Sequence, residues 1–148
     1  MSKTRGSRRT SREFALRGMY QWFMAGGNLA SLIVMAEEAD HYATANAEYF
    51  HALMEGVLKE REKLDAALAP LLDRAVGELS PIEHAALLVG AYELTHCLDV
   101  PYKVAINESV ELAKKYGGTD GHKYINGVLD KFAKLARPVE MQAAARRG

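Results

Sequence analysis

Five basic residues, Lys3, Arg5, Arg8, Arg9 and Arg12, stand within the first twelve positions of this 148-residue chain, with no acid among them. A cluster of that kind suits phosphates, because each lysine or arginine that neutralises one releases its counterions. Thr10 followed by Glu13 has the spacing of a capping box ahead of Phe14-Ala15-Leu16. On that reading Arg8 and Arg9 precede the cap and Arg12 falls in the first turn, where cations face the positive end of the helix dipole. The isolated helix is disfavoured by this arrangement, and a bound phosphate relieves it. Tyr20 stands about two turns further on, at the edge of the apolar face beside Arg17, where a ring offers a single-stranded base a stacking surface. A solvated basic tail and a boundary tyrosine are the plain alternatives.

A second cluster is Gly117-Gly118-Thr119-Asp120-Gly121-His122-Lys123-Tyr124. Free N–H groups at a helix start bind anions; Lys123 adds charge and Tyr124 a ring. A glycine pair that ends one helix before a capped start of the next explains the same residues without a ligand. Two clusters of similar chemistry in one small chain together favour RNA as the partner.

Enzyme chemistry finds less support. Glu48-x-x-His51 and Glu93-x-x-His96 have the form of the pairs that hold two irons in carboxylate bundles. Helical phase turns the first pair away from the core: Glu48 lies opposite the stripe of Phe50, Leu53 and Val57, and His51 is about 110° from it. Glu93 shares a face with Ile82 and Val89 and reads as a buried carboxylate satisfied by a donor. His96 and Cys97 are adjacent, so they point about 100° apart on a helix and form no nucleophile–base pair. Phosphate-binding loops, nucleophile elbows and dinucleotide fingerprints are missing from the sequence. One cysteine excludes a disulfide framework and a paired-cysteine zinc site, and fits a reducing compartment.

The elements that position these residues are helical. Alanine and leucine number 40 against 18 for valine, isoleucine and threonine, which favours helices over a large sheet. Helix 1 runs from Thr10 to about Met24 and ends at Gly26-Gly27, with Ala15, Leu16, Met19, Trp22 and Phe23 on one face. Asn28 caps a second helix to about Ala39. A third begins near Ala45, with a break expected near Lys59 and an end at Pro70. Ser80-Pro81-Ile82-Glu83 is a strong start for a central helix that is apolar on nearly all sides. Asp99-Val100-Pro101 opens the next, with Tyr102, Ala105, Ile106, Val110 and Ala113 inward and Glu111 placed to meet Lys115. Thr119 or Asp120 caps a last helix, with Ile125, Val128, Leu129 and Phe132 inward, ending before Pro138. No apolar run approaches the ~18 residues that a membrane span needs.

The formal net charge is zero, yet residues 36–83 hold eleven acids against four bases. Such a split fits a basic arm for nucleic acid and an acidic face for a basic protein.

Three blocks resemble the NusB family: Arg12-Glu13-Phe14-Ala15-Leu16 with Met19-Tyr20-Gln21-Trp22; Asp99-Val100-Pro101-Tyr102-Lys103-Val104-Ala105-Ile106-Asn107-Glu108; and His122-Lys123-Tyr124-Ile125-Asn126-Gly127-Val128-Leu129-Asp130. They occur in the family's order, and the resemblance covers about residues 8–138. It implies an all-α, NusB-like bundle of six to seven short helices in two packed subdomains of three to four helices each. Expected boundaries are a basic arm at 1–9, a helical RNA-binding domain at 10–138 (divided into about 10–79 and about 80–138), and a frayed tail at 139–148.

The resemblance further implies a cytoplasmic bacterial transcription antitermination factor, not an enzyme, with no cofactor. Such a factor binds the boxA element of nascent ribosomal RNA transcripts together with NusE, a small-subunit ribosomal protein. It joins the elongating RNA polymerase with other Nus factors and promotes read-through. By position, Arg8, Arg9 and Arg12 match the family's arginine-rich segment, Tyr20 its RNA-facing tyrosine, and Asp120, Lys123 and Tyr124 the start of the last helix. Lys3, Arg5 and Arg17 complete the expected RNA-binding set by charge. Glu83, and less directly Glu78, fall where the family meets NusE. Thr10 and Ser11 interrupt the arginine stretch, and Gly77 stands where some relatives carry an acid. Self-association as a homodimer that hides the arm is a further expectation. The alternatives are a helical protein-interaction module without RNA affinity and a di-iron bundle; the NusB-like domain fused to an RNA methyltransferase would need a catalytic domain in addition.

Overall fold

A computed structural model describes residues 6–118 and 120–147. The described residues form seven α-helices: α1 (Arg8–Ala25), α2 (Leu29–Glu37), α3 (Ala47–Leu68), α4 (Pro81–His96), α5 (Tyr102–Tyr116), α6 (Gly121–Ala136) and α7 (Pro138–Arg147). Single 3-10 turns cover Tyr42–Thr44, Ala69–Leu71 and Val76–Glu78. The chain divides into two compact units, residues 1–61 and 62–148.

In the first unit α1 starts earlier than its sequence suggests. Ser7, not Thr10, is the cap: its Oγ accepts from the Thr10 N–H at 3.0 Å. Ser7 is held extended because its N–H donates to the Thr44 carbonyl at 2.8 Å and its carbonyl accepts from the Asn46 N–H at 3.2 Å. Gly6 comes so close to this segment that an added Cβ would stand 2.2 Å from the Ala45 oxygen, too near for any other residue without a shift. Residues 6–9 are therefore docked rather than a free arm, and Arg8 and Arg9 lie in the first turn of the helix.

Asn28 caps α2 as expected, in a reciprocal box with Ser31. Phe14, Leu16, Met19, Leu32, Phe50, Leu53, Met54 and Val57 are buried, while Trp22 and Phe23 are only half-buried. The rings of Phe14, Tyr42 and Phe50 meet edge to face at 5.3–6.2 Å.

α3 runs unbroken through Lys59; Lys59 to Lys63 are good helix formers, and charge alone does not interrupt a helix. The second unit claims its last turns and the loop after it, so the division falls at 61/62 and not at 79/80. Asp65 Oδ1 lies 2.7 Å from His84 Nε2, and the Asp73 N–H donates to the Tyr124 hydroxyl at 3.2 Å.

Within the second unit Ser80 caps α4 through the Glu83 N–H at 3.1 Å, and every residue from His84 to Ala91 is buried. α5 and α6 pack on it. Gly90 permits the close approach, since a Cβ there would meet Leu129 at 2.6 Å and Ser109 Oγ at 2.7 Å.

The expected frayed tail is instead helix α7. Arg137, buried, donates to the carbonyls of Leu94 (2.8 Å), Cys97 (3.1 Å) and Glu93 (3.2 Å) at the end of α4. It also donates to Glu140 Oε1 at 2.5 Å. Glu140 Oε2 accepts from the Tyr102 N–H at 2.9 Å, supplying the cap that Pro101 lacks at the start of α5. The Arg137–Glu140 pair thus satisfies one helix end and one helix start at once.

Candidate nucleic-acid interface

The first unit presents Arg8, Arg9, Arg17 and Tyr20 to solvent. The first turn of α1 contains no acidic residue, and Arg8 and Arg9 stand at the positive end of the helix. Arg17 lies over the Phe14 ring at 5.0 Å, with Nη1 3.4 Å from His41 Nε2. Tyr20 is 41% exposed, with its ring available on the surface.

Arg12 departs from its expected place: it is 4% exposed. Its guanidinium lies 5.6 Å from the centroid of the Tyr49 ring, and that of Arg8 lies 4.2 Å from the same centroid. Sequence reading missed Tyr49, whose only signal is an aromatic in the first turn of an ordinary apolar helix. Lys3 and Arg5 lie outside the described residues, as does Thr119, one of the two expected caps of the last helix.

In the second unit Asp120 precedes α6 without a side-chain capping bond, and its carboxylate is 3.7 Å from Lys123 Nζ. Both side chains are exposed. Tyr124 is half-buried and engaged: its hydroxyl accepts from Asp73, and the Arg74 guanidinium covers one ring face at 4.2 Å. Burial pushes the Tyr124 hydroxyl above its ordinary pKa, against the lowering pull of the Asp73 N–H. Arg74, and then Tyr124, hold the Asp73 carboxyl below its usual range. Arg74 joins Asp73 through two bonds of 2.7 and 3.4 Å and approaches Glu83 at 4.0 Å. Arg74 thus already occupies one face of the Tyr124 ring. Arg74 was also missed by sequence reading.

The two glutamates differ. Glu83 is half-buried, with Gly121 packed so closely that a Cβ there would stand 3.0 Å from its Oε2. Glu78 is exposed, and its carboxylate accepts from the Ala75 N–H at 2.8 Å.

The Glu-x-x-His pairs split between inside and outside. Glu48 is exposed and His51 half-buried; Glu93 is fully buried, whereas His96 is exposed with its ring 4.8 Å from that of Tyr92. Among the described residues no three His, Cys, Asp or Glu side chains converge as a metal-ligand set, and no helix is long and apolar enough to cross a membrane.

Helices that carry cations and rings at their starts, around cores filled by apolar side chains, define a small all-α binding protein. Residues 9–134 match the NusB family model, and the chain belongs to that family. It is 57% identical over 142 residues to the transcription antitermination protein NusB of Thiobacillus denitrificans, covering 96% of this chain and 98% of the relative. The structure of NusB from T. maritima superposes with a TM-score of 0.79 at 26% identity, covering 92% of this chain and 97% of that one. NusB in a complex of the antitermination factors NusB and NusE with double-stranded RNA shares the fold, with a TM-score of 0.75 at 24% identity over 86% of this chain and 96% of that one. Members of the family are binding factors rather than catalysts.

Proposed function

We propose that this chain is a transcription antitermination factor that binds single-stranded boxA RNA of nascent ribosomal RNA transcripts together with NusE. It then joins the elongating RNA polymerase with other Nus factors in the cytoplasm and promotes read-through. The observation that carries this reading is the docked start of α1: two exposed arginines at the positive end of a helix that presents an exposed Tyr20 further along.

Arg8, Arg9, Arg17 and Lys123, with Lys3 and Arg5, neutralise phosphates. Tyr20 stacks a base on its open ring, and Tyr124 offers a second ring. Arg12 acts from inside, through Tyr49. Asp120 sits in the loop beside Lys123 and keeps that lysine near the start of α6. Glu83 and Glu78 meet the basic NusE. By holding RNA and NusE together, the chain raises the effective concentration of each for the other.

The test is binding of a boxA oligonucleotide and a scrambled one, with and without NusE. Tighter binding of boxA, strengthened by NusE, is expected. If three to five phosphates are neutralised, log affinity falls against log salt with a slope of about −2 to −3.5. Equal affinity for both RNAs, or affinity indifferent to salt, overturns the reading.

A further inference from the structure

We propose that Tyr49 is the positioning residue of the arm: a ring on α3 that holds the Arg8 guanidinium in the orientation in which it meets RNA. This rests on the RNA-binding reading above and adds a residue that the arm itself does not contain.

Arg8 and Arg12 are four apart on α1, so they share one helix face. Both guanidinium groups lie within 6 Å of the centroid of Tyr49, at 4.2 and 5.6 Å, inside the range of a cation–π contact. The ring is 8% exposed and Arg12 4%, whereas Arg8 is exposed. Arg12 therefore sits on the inner side of the platform and Arg8 on the outer.

The starts of the two helices are clamped together. Asn46 caps α3 through the Tyr49 N–H at 3.0 Å, and its carbonyl accepts from Ser11 Oγ at 2.6 Å. Its own N–H donates to the Ser7 carbonyl at 3.2 Å. Tyr49 is fixed against α1 by the same residues that fix the cap of α1.

The chemistry suits the task. A guanidinium that rests its face on a ring keeps its N–H donors in its plane, the orientation in which a fork meets a phosphate. Rotamers of a long side chain are restricted before RNA arrives, so less freedom is lost on binding. A lysine in place of Arg8 would retain the charge and lose the fork.

The experiment measures boxA oligonucleotide affinity against salt for wild type, Tyr49→Phe, Tyr49→Leu, Arg8→Ala and the Tyr49→Leu/Arg8→Ala double variant, each checked for its helical melt. Tyr49→Phe keeps the ring and binds within about twofold of wild type. Tyr49→Leu binds about fivefold or more weakly, with a salt slope shallower by about 0.7, one phosphate contact. Once Arg8 is absent, Tyr49→Leu adds little further loss. A folded Tyr49→Leu that binds like wild type, or losses that simply add, overturn the proposal.

A second measurement needs no destabilising variant. The Arg8 side-chain proton resonances are displaced upfield by the ring in wild type and in Tyr49→Phe; unshifted values overturn the platform. If wild-type protein binds no RNA while those resonances are displaced, the RNA reading has failed and the contact stands.

Discussion

At the N-terminal end of the described chain, backbone bonds between Ser7 and residues 44–46 do the fastening, and Arg8 and Arg9 stay outside. At the C-terminal end the roles reverse: Arg137 turns inward onto the carbonyls of Glu93, Leu94 and Cys97 where α4 ends, and Glu140 reaches the start of α5. Composition describes both ends alike, as basic tails. The difference is in what does the fastening: backbone groups at one end, an arginine side chain at the other. Where the side chain does it, the guanidinium is buried. Where backbone groups do it, Arg8 and Arg9 keep their place at the surface.

Four substitutions test this contrast. Arg137→Met has the largest expected effect, about 3 kcal/mol of stability, because buried carbonyls lose their donor and Glu140 its cation. A thermal melt reads it, and RNA affinity measured well below the melt stays unchanged; altered affinity would break the division of labour between the ends. Tyr20→Ala comes next, costing ~1–3 kcal/mol of RNA binding with some base preference and almost no stability.

Glu140→Gln costs about 1 kcal/mol of stability near neutrality, because a neutral amide can still accept from the Tyr102 N–H but gives up the negative charge that strengthens that bond and the pair with Arg137. Burial raises the Glu140 carboxyl, but the Tyr102 N–H and Arg137 outweigh it, so the folded pKa lies below the ordinary 4.5. A depressed carboxyl contributes stability that is fully present above the unfolded value and lost as pH falls through the folded one. The gap between wild type and Glu140→Gln therefore narrows below about pH 4.5; denaturant melts at several pH values check it, and a constant gap would sink the assignment. Arg9→Ala has the smallest effect, under ~1 kcal/mol, spread evenly over boxA and scrambled RNA, with a salt slope shallower by about 0.7.

The sequence showed most plainly what neighbours within one turn decide. Ser80-Pro81-Ile82-Glu83 and Asn28 start helices where their local pattern says they should. The cap of α1 did not follow Thr10 and Glu13, because Ser7 competes and wins through contacts with residues 44–46, which no local pattern reveals. Pro138 reads as a stop after α6, yet it also opens α7, a position proline tolerates.

Of the exposed candidate RNA-binding residues, Arg8, Arg9 and Lys123 are legible as cations at helix starts and Tyr20 as a ring at the edge of an apolar face. Their supports are not. Tyr49 and Arg74 each face a ring or guanidinium that lies tens of residues away in the chain. Helical phase likewise placed Glu93 inward, but not the Arg137 bonds around its carbonyl.

Gly90 leaves α4 without a bump where Leu129 and Ser109 press against it, and the residues around it have no face turned to solvent. Amides from Ala85 to Ala91 consequently have no shallow opening through which to trade hydrogen for deuterium. They exchange only when α5 and α6 come away as well, which makes this short stretch a gauge of how cooperatively the second unit unfolds.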